Sequence, residues 1–337
     1  MKKKILLCLL LYAGINFSQE KHPKIGLVLS GGGAKGFAHV GVLKEIDKAG
    51  LQIDYIAGTS MGAIIGGLYA SGYTALEIEK LIKEINFTDT LRDKFPRKAS
   101  PFFEKEYEEK TSITLPVTKG KIGIPKSVSK GQSVLSLFYE LLDSTEEIND
   151  FSKLPIPFFC IGTDVETGSE ILLEKGSLPL AIRASGSFPT LLDPVEVDGK
   201  LLVDGGITNN FPISIMKSKG MDIIIGVDVQ GNLKKKENLT SVIAILNQIV
   251  SYQTYNKSNE EKKLLDFYIH PDVYDYSVVD FDKKDEILQK GDKIGAKFAK
   301  AFKELADKQI KKKDKKNVEN FKYRIAKRKI DSIEIKG

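Results

Sequence analysis

An α/β protein with a mostly parallel central sheet flanked by helices is what this sequence predicts, on three observations. Short apolar runs at residues 24–29, 54–57, 158–164 and 222–229 have the length and composition of buried strands. The first two each pass through a glycine-containing turn straight into a helical pattern, the succession that parallel strands require. Finally, a chain of 337 residues that is 42% hydrophobic with only 12 prolines can bury one large core or two smaller ones.

The first eighteen residues stand apart from that core. Lys2, Lys3 and Lys4, an apolar run over 5–13, and Asn16-Phe17-Ser18 ahead of Gln19 have the order of an export signal. The run is too short to span a bilayer, and an uncleaved anchor is the alternative. Cys8 has no small residues before it, which argues against a lipid-anchored cysteine. Removal of the leader leaves Cys160 as the single cysteine, so neither an internal disulfide nor a cysteine metal site is expected.

The mature chain opens with the strand at 24–29, which runs into Ser30-Gly31-Gly32-Gly33-Ala34-Lys35-Gly36. A helix follows, with Val40, Leu43, Ile46 and Asp47 at helical spacing and Gly50 as its stop. Successive amides at such a turn form an anion cradle, for a phosphate or for the oxyanion of an attacked ester. A P-loop is excluded because no Ser or Thr follows Lys35 at the required spacing. Gly31, Gly33 and Gly36 fit a dinucleotide fingerprint, but the second strand lacks the ribose-binding acid.

That second strand ends in Gly58-Thr59-Ser60-Met61-Gly62, and residues 63–70 continue as a helix of small and apolar residues. A serine at such a turn is a nucleophile elbow, with Gly58 and Gly62 giving strand and helix room to close on each other. A glycine-rich connection that merely turns the chain has the same pattern. In a parallel sheet with a right-handed crossover, the glycine loop and the elbow open on the same edge.

Residues 71–132 read as the least regular stretch, with Phe87, Phe95, Phe102, Phe103 and Tyr107 among charges and a hairpin-like pair around Gly120. They suit an interfacial lid or a cover over one sheet face. Val134, Leu135, Leu137, Phe138, Leu141 and Leu142 form an amphipathic helix expected in the core. Beyond the strand at 158–164 come a short strand at 170–173, a helix at 178–187, and a hairpin turned by Asp198-Gly199. The hairpin leads into Asp204-Gly205-Gly206, where an aspartate uncrowded by side chains can approach another backbone, or simply cap a turn. An amphipathic helix over 286–310 packs through Leu288, Ile294, Phe298, Phe302 and Leu305. His39, on the first helix, reads as a satisfied packing residue.

Net charge is +6, and residues 307–329 carry eleven Lys or Arg against three acids, so the tail holds the positive field. Such a tail suits anionic headgroups or a solvated helix end. With no interleaved aromatics, a nucleic-acid partner is not expected.

Ser30 to Gly36, Gly58 to Gly62 and Asp204 to Gly206 together resemble the glycine loop, serine elbow and aspartate motif of the patatin-like phospholipases. Residues 181–189 and Asn210 before Pro212 are similar too, so the resemblance covers about residues 24–310. It implies a three-layer patatin-like sandwich at 19–318 and a Ser60–Asp204 dyad without histidine. Gly31, Gly32 and Gly33 are then the oxyanion loop, supported by Lys35, Gly36, Gly58, Gly62, Gly205 and Gly206. The substrate is a phospholipid or other fatty-acyl ester met at a membrane surface, with no cofactor and no metal. Ser30 departs from the Asp that many members carry, and Lys35 from Arg, which loses a two-pronged grip.

Two rival readings remain at this point. Ser60, Asp204 and His270 occur in the chain order of an α/β-hydrolase triad. Residues 330–337 alternate like the opening strand of a POTRA repeat after a basic linker at 319–329, which suggests an outer-membrane assembly or binding module. An exported protein of the periplasm or outer membrane is the expectation in either case.

Overall fold

Strand β1 (Ile25–Leu29) is buried along its whole length and sits between two parallel neighbours, because its five apolar residues leave neither face fit for water. The computed structural model describes residues 23–93, 117–118, 121–122 and 127–309. After a 3-10 turn at Gly33–Ala38 come α1 (His39–Ala49), stopped by left-handed Gly50, then β2 (Tyr55–Thr59) and α2 (Met61–Ala70). Two helices follow, α3 (Ala75–Glu84) and α4 (Phe87–Leu91), with three short strands, β3 (Val117–Thr118), β4 (Lys121–Ile122) and β5 (Ser127–Ser129). Next are α5 (Gln132–Leu141), β6 (Phe158–Asp164), β7 (Glu170–Leu173) and α6 (Leu178–Ser185). Strands β8 (Thr190–Leu192), β9 (Val195–Val197) and β10 (Lys200–Asp204) precede α7 (Ile213–Ser218) and β11 (Ile223–Val227). The described chain ends with α8 (Val242–Glu261), β12 (Phe267–Ile269) and α9 (Lys284–Lys308).

Side-chain alternation along the strands divides the core in two. Leu27, Leu29, Ile56 and Cys160 face a cluster that includes residues of α1, α2, α6 and α9. Val28, Ala57, Phe159 and Ile224 face the other way, onto Phe211, Ile213 and Met216 at and around α7. The result is three layers, helix on sheet on helix. Helices α1 and α9 meet through glycines: a Cβ on Gly41 would lie 2.0 Å from the Gly291 carbonyl carbon, and one on Gly295 would lie 2.5 Å from the Gly41 oxygen.

Strands β12, β11, β1, β2 and β6 run parallel, while β7 and β10 run against β6. Register gives the decisive detail. Ile161 pairs with Thr59 of β2 on one edge and Leu172 of β7 on the other; Gly162 pairs with Asp204 of β10 and Ile171 of β7. Strands β2 and β10 therefore share one edge of β6 and meet head-on, their last residues opposite consecutive positions of β6.

Two expectations need correction. Residues 71–93 are regular: Thr74 and Glu77 form a capping box at the start of α3, and Asn86 caps α4. Helix α5 joins the core through Val134 and Phe138 as expected, with Leu141 packed against it, but the same face also lines a cavity, to which Leu137 belongs without entering the core. The β3–β4 pair and the Asp198-Gly199 hairpin are present, the latter with positive φ at both turn residues. The leader at 1–18, the aromatics Phe95, Phe102, Phe103 and Tyr107, and the tail beyond 309 lie outside the described residues.

Candidate active site

Ser60 stands between β2 and α2 with φ 54° and ψ −123°, a conformation that side-chain-bearing residues rarely adopt and that costs roughly 1–3 kcal/mol. Close packing enforces it. A Cβ on Gly58 would lie 2.3 Å from the Gly62 oxygen, and one on Gly62 would lie 2.3 Å from the Leu29 oxygen. Strand and helix have closed until only glycine fits. The Ser60 amide donates to the Ser185 hydroxyl at 3.0 Å, which fixes the elbow from the far end of α6.

The Ser60 hydroxyl donates to Asp204 Oδ2 at 2.6 Å. The second carboxylate oxygen, Oδ1, accepts from the Gly206 amide at 2.7 Å, so one side chain both caps the turn after β10 and meets the serine. A Cβ on Gly205 would lie 2.1 Å from the Ile161 oxygen, which is how closely this turn presses on β6. The Asp204 amide donates to the Ser187 carbonyl at 3.0 Å. Burial raises the Asp204 carboxyl to about 6, against the pull of the Ser60 hydroxyl and the Gly206 amide.

Of the glycine loop, Gly31 is spoken for: its amide donates to the Asn210 carbonyl at 3.1 Å and its carbonyl accepts from the Asn210 side chain at 3.3 Å. The expectation that Gly31 supplies an oxyanion donor is corrected accordingly; it anchors the loop. Gly32 and Gly33 line the cavity beside Ser60, and among the described residues their amides have no acceptor. Gly33 has φ +56°, and a Cβ there would lie 2.1 Å from the Val278 oxygen. The Ser30 hydroxyl accepts from the Val229 amide at 2.9 Å and so ties the ends of β1 and β11 together.

Lys35 turns away from the cavity. It is buried near Asp228 and Lys234, and burial lowers it to about 8 although Asp228 opposes the shift. Gly36 lets Met61 pack against the loop, since a Cβ would lie 2.4 Å from its Cγ. His39 donates from Nε2 to the Ser30 carbonyl at 2.9 Å, while Nδ1 has no partner among the described residues. The satisfied reading of His39 thus holds for one ring nitrogen only, and burial keeps the ring neutral by lowering it to about 4. His270 packs on Tyr268 and Tyr274 beside Asp228, with no hydrogen bond to Ser60 or Asp204 among the described residues. The Ser60 hydroxyl donates straight to Asp204 with no imidazole between them, so the triad arrangement is not formed.

Sequence reasoning passed over the supports. Arg183, buried at the end of α6, donates to the carbonyls of Lys130, Gly131 and Asp193 and to the Ser187 hydroxyl. Ser185, Ser187 and Arg183 together hold both halves of the Ser60–Asp204 pair; their signal was the segment at 181–189. Above the pair lies a cavity of about 160 Å³ lined mainly by apolar side chains, among them Ile64, Leu68, Phe87, Leu137 and Phe188. Among the described residues no cluster of ligating side chains would hold a metal ion.

Moving an acyl group from an alcohol to a serine and on to water is the work of the carboxylic ester hydrolases. The chain belongs to the patatin-like phospholipase family, whose pattern matches residues 27–217. It is 30% identical over 296 residues to lysophospholipase NTE1 of Meyerozyma guilliermondii, covering 79% of this chain and 18% of that protein. With lysophospholipase NTE1 of Candida albicans the identity is 29% over 301 residues, covering 82% and 20%. The chain thus spans about a fifth of the length of these relatives. Among solved structures, VipD from Legionella pneumophila superposes with a TM-score of 0.48 at 16% identity, over 90% of this chain and 74% of that one.

Proposed function

We propose that this chain is a serine lipid acyl hydrolase of phospholipase A or lysophospholipase type, acting on fatty-acyl esters. The observation that carries the reading is the 2.6 Å hydrogen bond from Ser60 Oγ to the buried Asp204 carboxylate at an apolar cavity. Ser60 Oγ bonds to the ester carbonyl carbon as its proton passes to Asp204 Oδ2. The negative charge that develops on the carbonyl oxygen is met by the Gly32 and Gly33 amides and the start of α2, at about 3 kcal/mol for each donor. Collapse breaks the carbon–oxygen bond, and the departing alcohol takes the proton from Asp204. Water repeats the sequence on the acyl-serine: its proton goes to Asp204, the fatty acid leaves, and Ser60 is reprotonated. A carboxyl lifted toward neutrality is a better base than an ordinary aspartate, which suits a scheme without imidazole.

Labelling with a fluorophosphonate followed by peptide mapping tests the assignment. Label on Ser60, lost in Ser60→Ala together with fatty-acid release from lysophosphatidylcholine, is expected. Equal labelling of the variant removes the nucleophile. An assembly or binding role without turnover is favoured instead if the intact protein releases fatty acid from no ester. Export to the periplasm or outer membrane is part of the same proposal, supported by residues 1–18. A mature amino terminus at Gln19 in the envelope fraction checks it.

A further inference from the structure

Helix α8 is built inside out. Val242, Ile245, Ile249 and Tyr252 are 45–72% exposed, whereas Gln248, Thr254 and Ser258 are buried. At 100° per residue the four exposed apolar positions fall within an arc of about 80°, a single stripe along one side of the helix. Isolated exposed apolar residues are ordinary, but a stripe of them on a helix that turns polar groups inward has no explanation in the packing of the described chain. Nor does any described helix have the length and hydropathy to cross a membrane, so a lipid-facing α8 would lie on the surface.

Two further observations identify what the stripe meets. The buried Gln248 accepts from the Lys234 amide at 2.9 Å and donates to the Lys234 carbonyl at 3.1 Å, which clamps the run Lys234-Lys235-Lys236 alongside it. Positive charge beside an apolar stripe complements anionic headgroups and would repel an identical copy. Through Val250 and Thr254 the same helix lines the cavity that contains Ser60 and Asp204. We propose that α8 is the docking element for an anionic lipid surface, its stripe seated among acyl chains and Lys235 and Lys236 among headgroups. This rests on the hydrolase reading and adds to it: the helix that carries the stripe also lines the cavity of Ser60 and Asp204, so docking would bring that cavity up to the lipid surface.

The chain has no tryptophan, so Tyr252→Trp places a single reporter on the stripe. Adding phosphatidylcholine vesicles that contain phosphatidylglycerol should shift its emission to the blue, and phosphatidylcholine alone should do so weakly. In co-sedimentation, Ile245→Glu with Ile249→Glu should lower vesicle partitioning by about tenfold or more. Lys235→Glu with Lys236→Glu should erase the preference for the anionic vesicles. No spectral shift on either vesicle, or unchanged partitioning of the isoleucine variant, overturns the proposal. So does a dimer in light scattering that the isoleucine variant dissociates, which would make the stripe a contact between copies. The Tyr252→Trp measurement stands on its own if the double variants do not fold. Binding is read without turnover, so a failure here leaves the Ser60 assignment untouched, and a failed label on Ser60 leaves this one.

Discussion

Replacing Asp204 by Asn should inactivate the protein and stabilise it. The carboxyl lies 3% exposed, and burial moves it from the ordinary 3.8 to about 6. At ~1.4 kcal/mol per pH unit, keeping the ionised form in place costs about 3 kcal/mol once the pH is well above both values. The sign follows from proton uptake. Between 3.8 and about 6 the folded protein binds a proton that the unfolded chain has lost, so stability falls as pH rises through that window and stays low above it. Asparagine keeps the shape: its Oδ1 accepts from Gly206 as before, and its amide donates to Ser60 Oγ. The variant should therefore match the parent near pH 4 and exceed it at pH 8 by up to about 3 kcal/mol, or about 5 °C in melting temperature. Urea unfolding at both pH values measures the gap, and esterase assays should find a loss of about 10⁴-fold. A variant less stable than the parent at pH 8, or a gap that does not widen between the two pH values, refutes the reasoning.

Four further outcomes are expected. Because Asp204 accepts a proton only when ionised, kcat/KM on a soluble ester should rise with pH and reach half its plateau near pH 6; a profile flat from pH 5 upward contradicts this. Gly33→Ala should lower kcat by about 100-fold or more, since the added carbon meets the Val278 oxygen and the residue sits at positive φ; melting curves separate this from unfolding. Gly41→Ala should destabilise by about 2–3 kcal/mol in urea titrations by forcing α1 from α9. His270→Ala should keep ester turnover within about threefold of the parent, whereas a fall of several orders would restore the triad.

Local pattern carried the elements whose chemistry is local. The glycine loop, the elbow and the Asp198-Gly199 turn were legible because each is contained within a few consecutive residues. That Asp204 reaches Ser60 was not legible: it depends on β2 and β10 sharing an edge of β6, a relation between residues 144 positions apart. The fate of the Gly31 amide was hidden for the same reason, as its acceptor is Asn210. Leu137 read as core because an apolar residue facing an apolar cavity has the pattern of one facing other side chains. Thr74 and Glu77 were a cap in plain view, masked by the charged and aromatic stretch that follows.

The edge of β6 also works as a gauge. Thr59 and Asp204 sit opposite Ile161 and Gly162, one step apart. A slip of β10 by a single position would reverse which face each of its side chains occupies, putting Val203 or Gly205 where the carboxylate belongs and turning the acid outward. A misaligned sheet is thus automatically a dead catalyst. Turnover therefore reports correct strand alignment, and refolded material can be sorted by it where bulk spectroscopy would see only the same content of strand and helix.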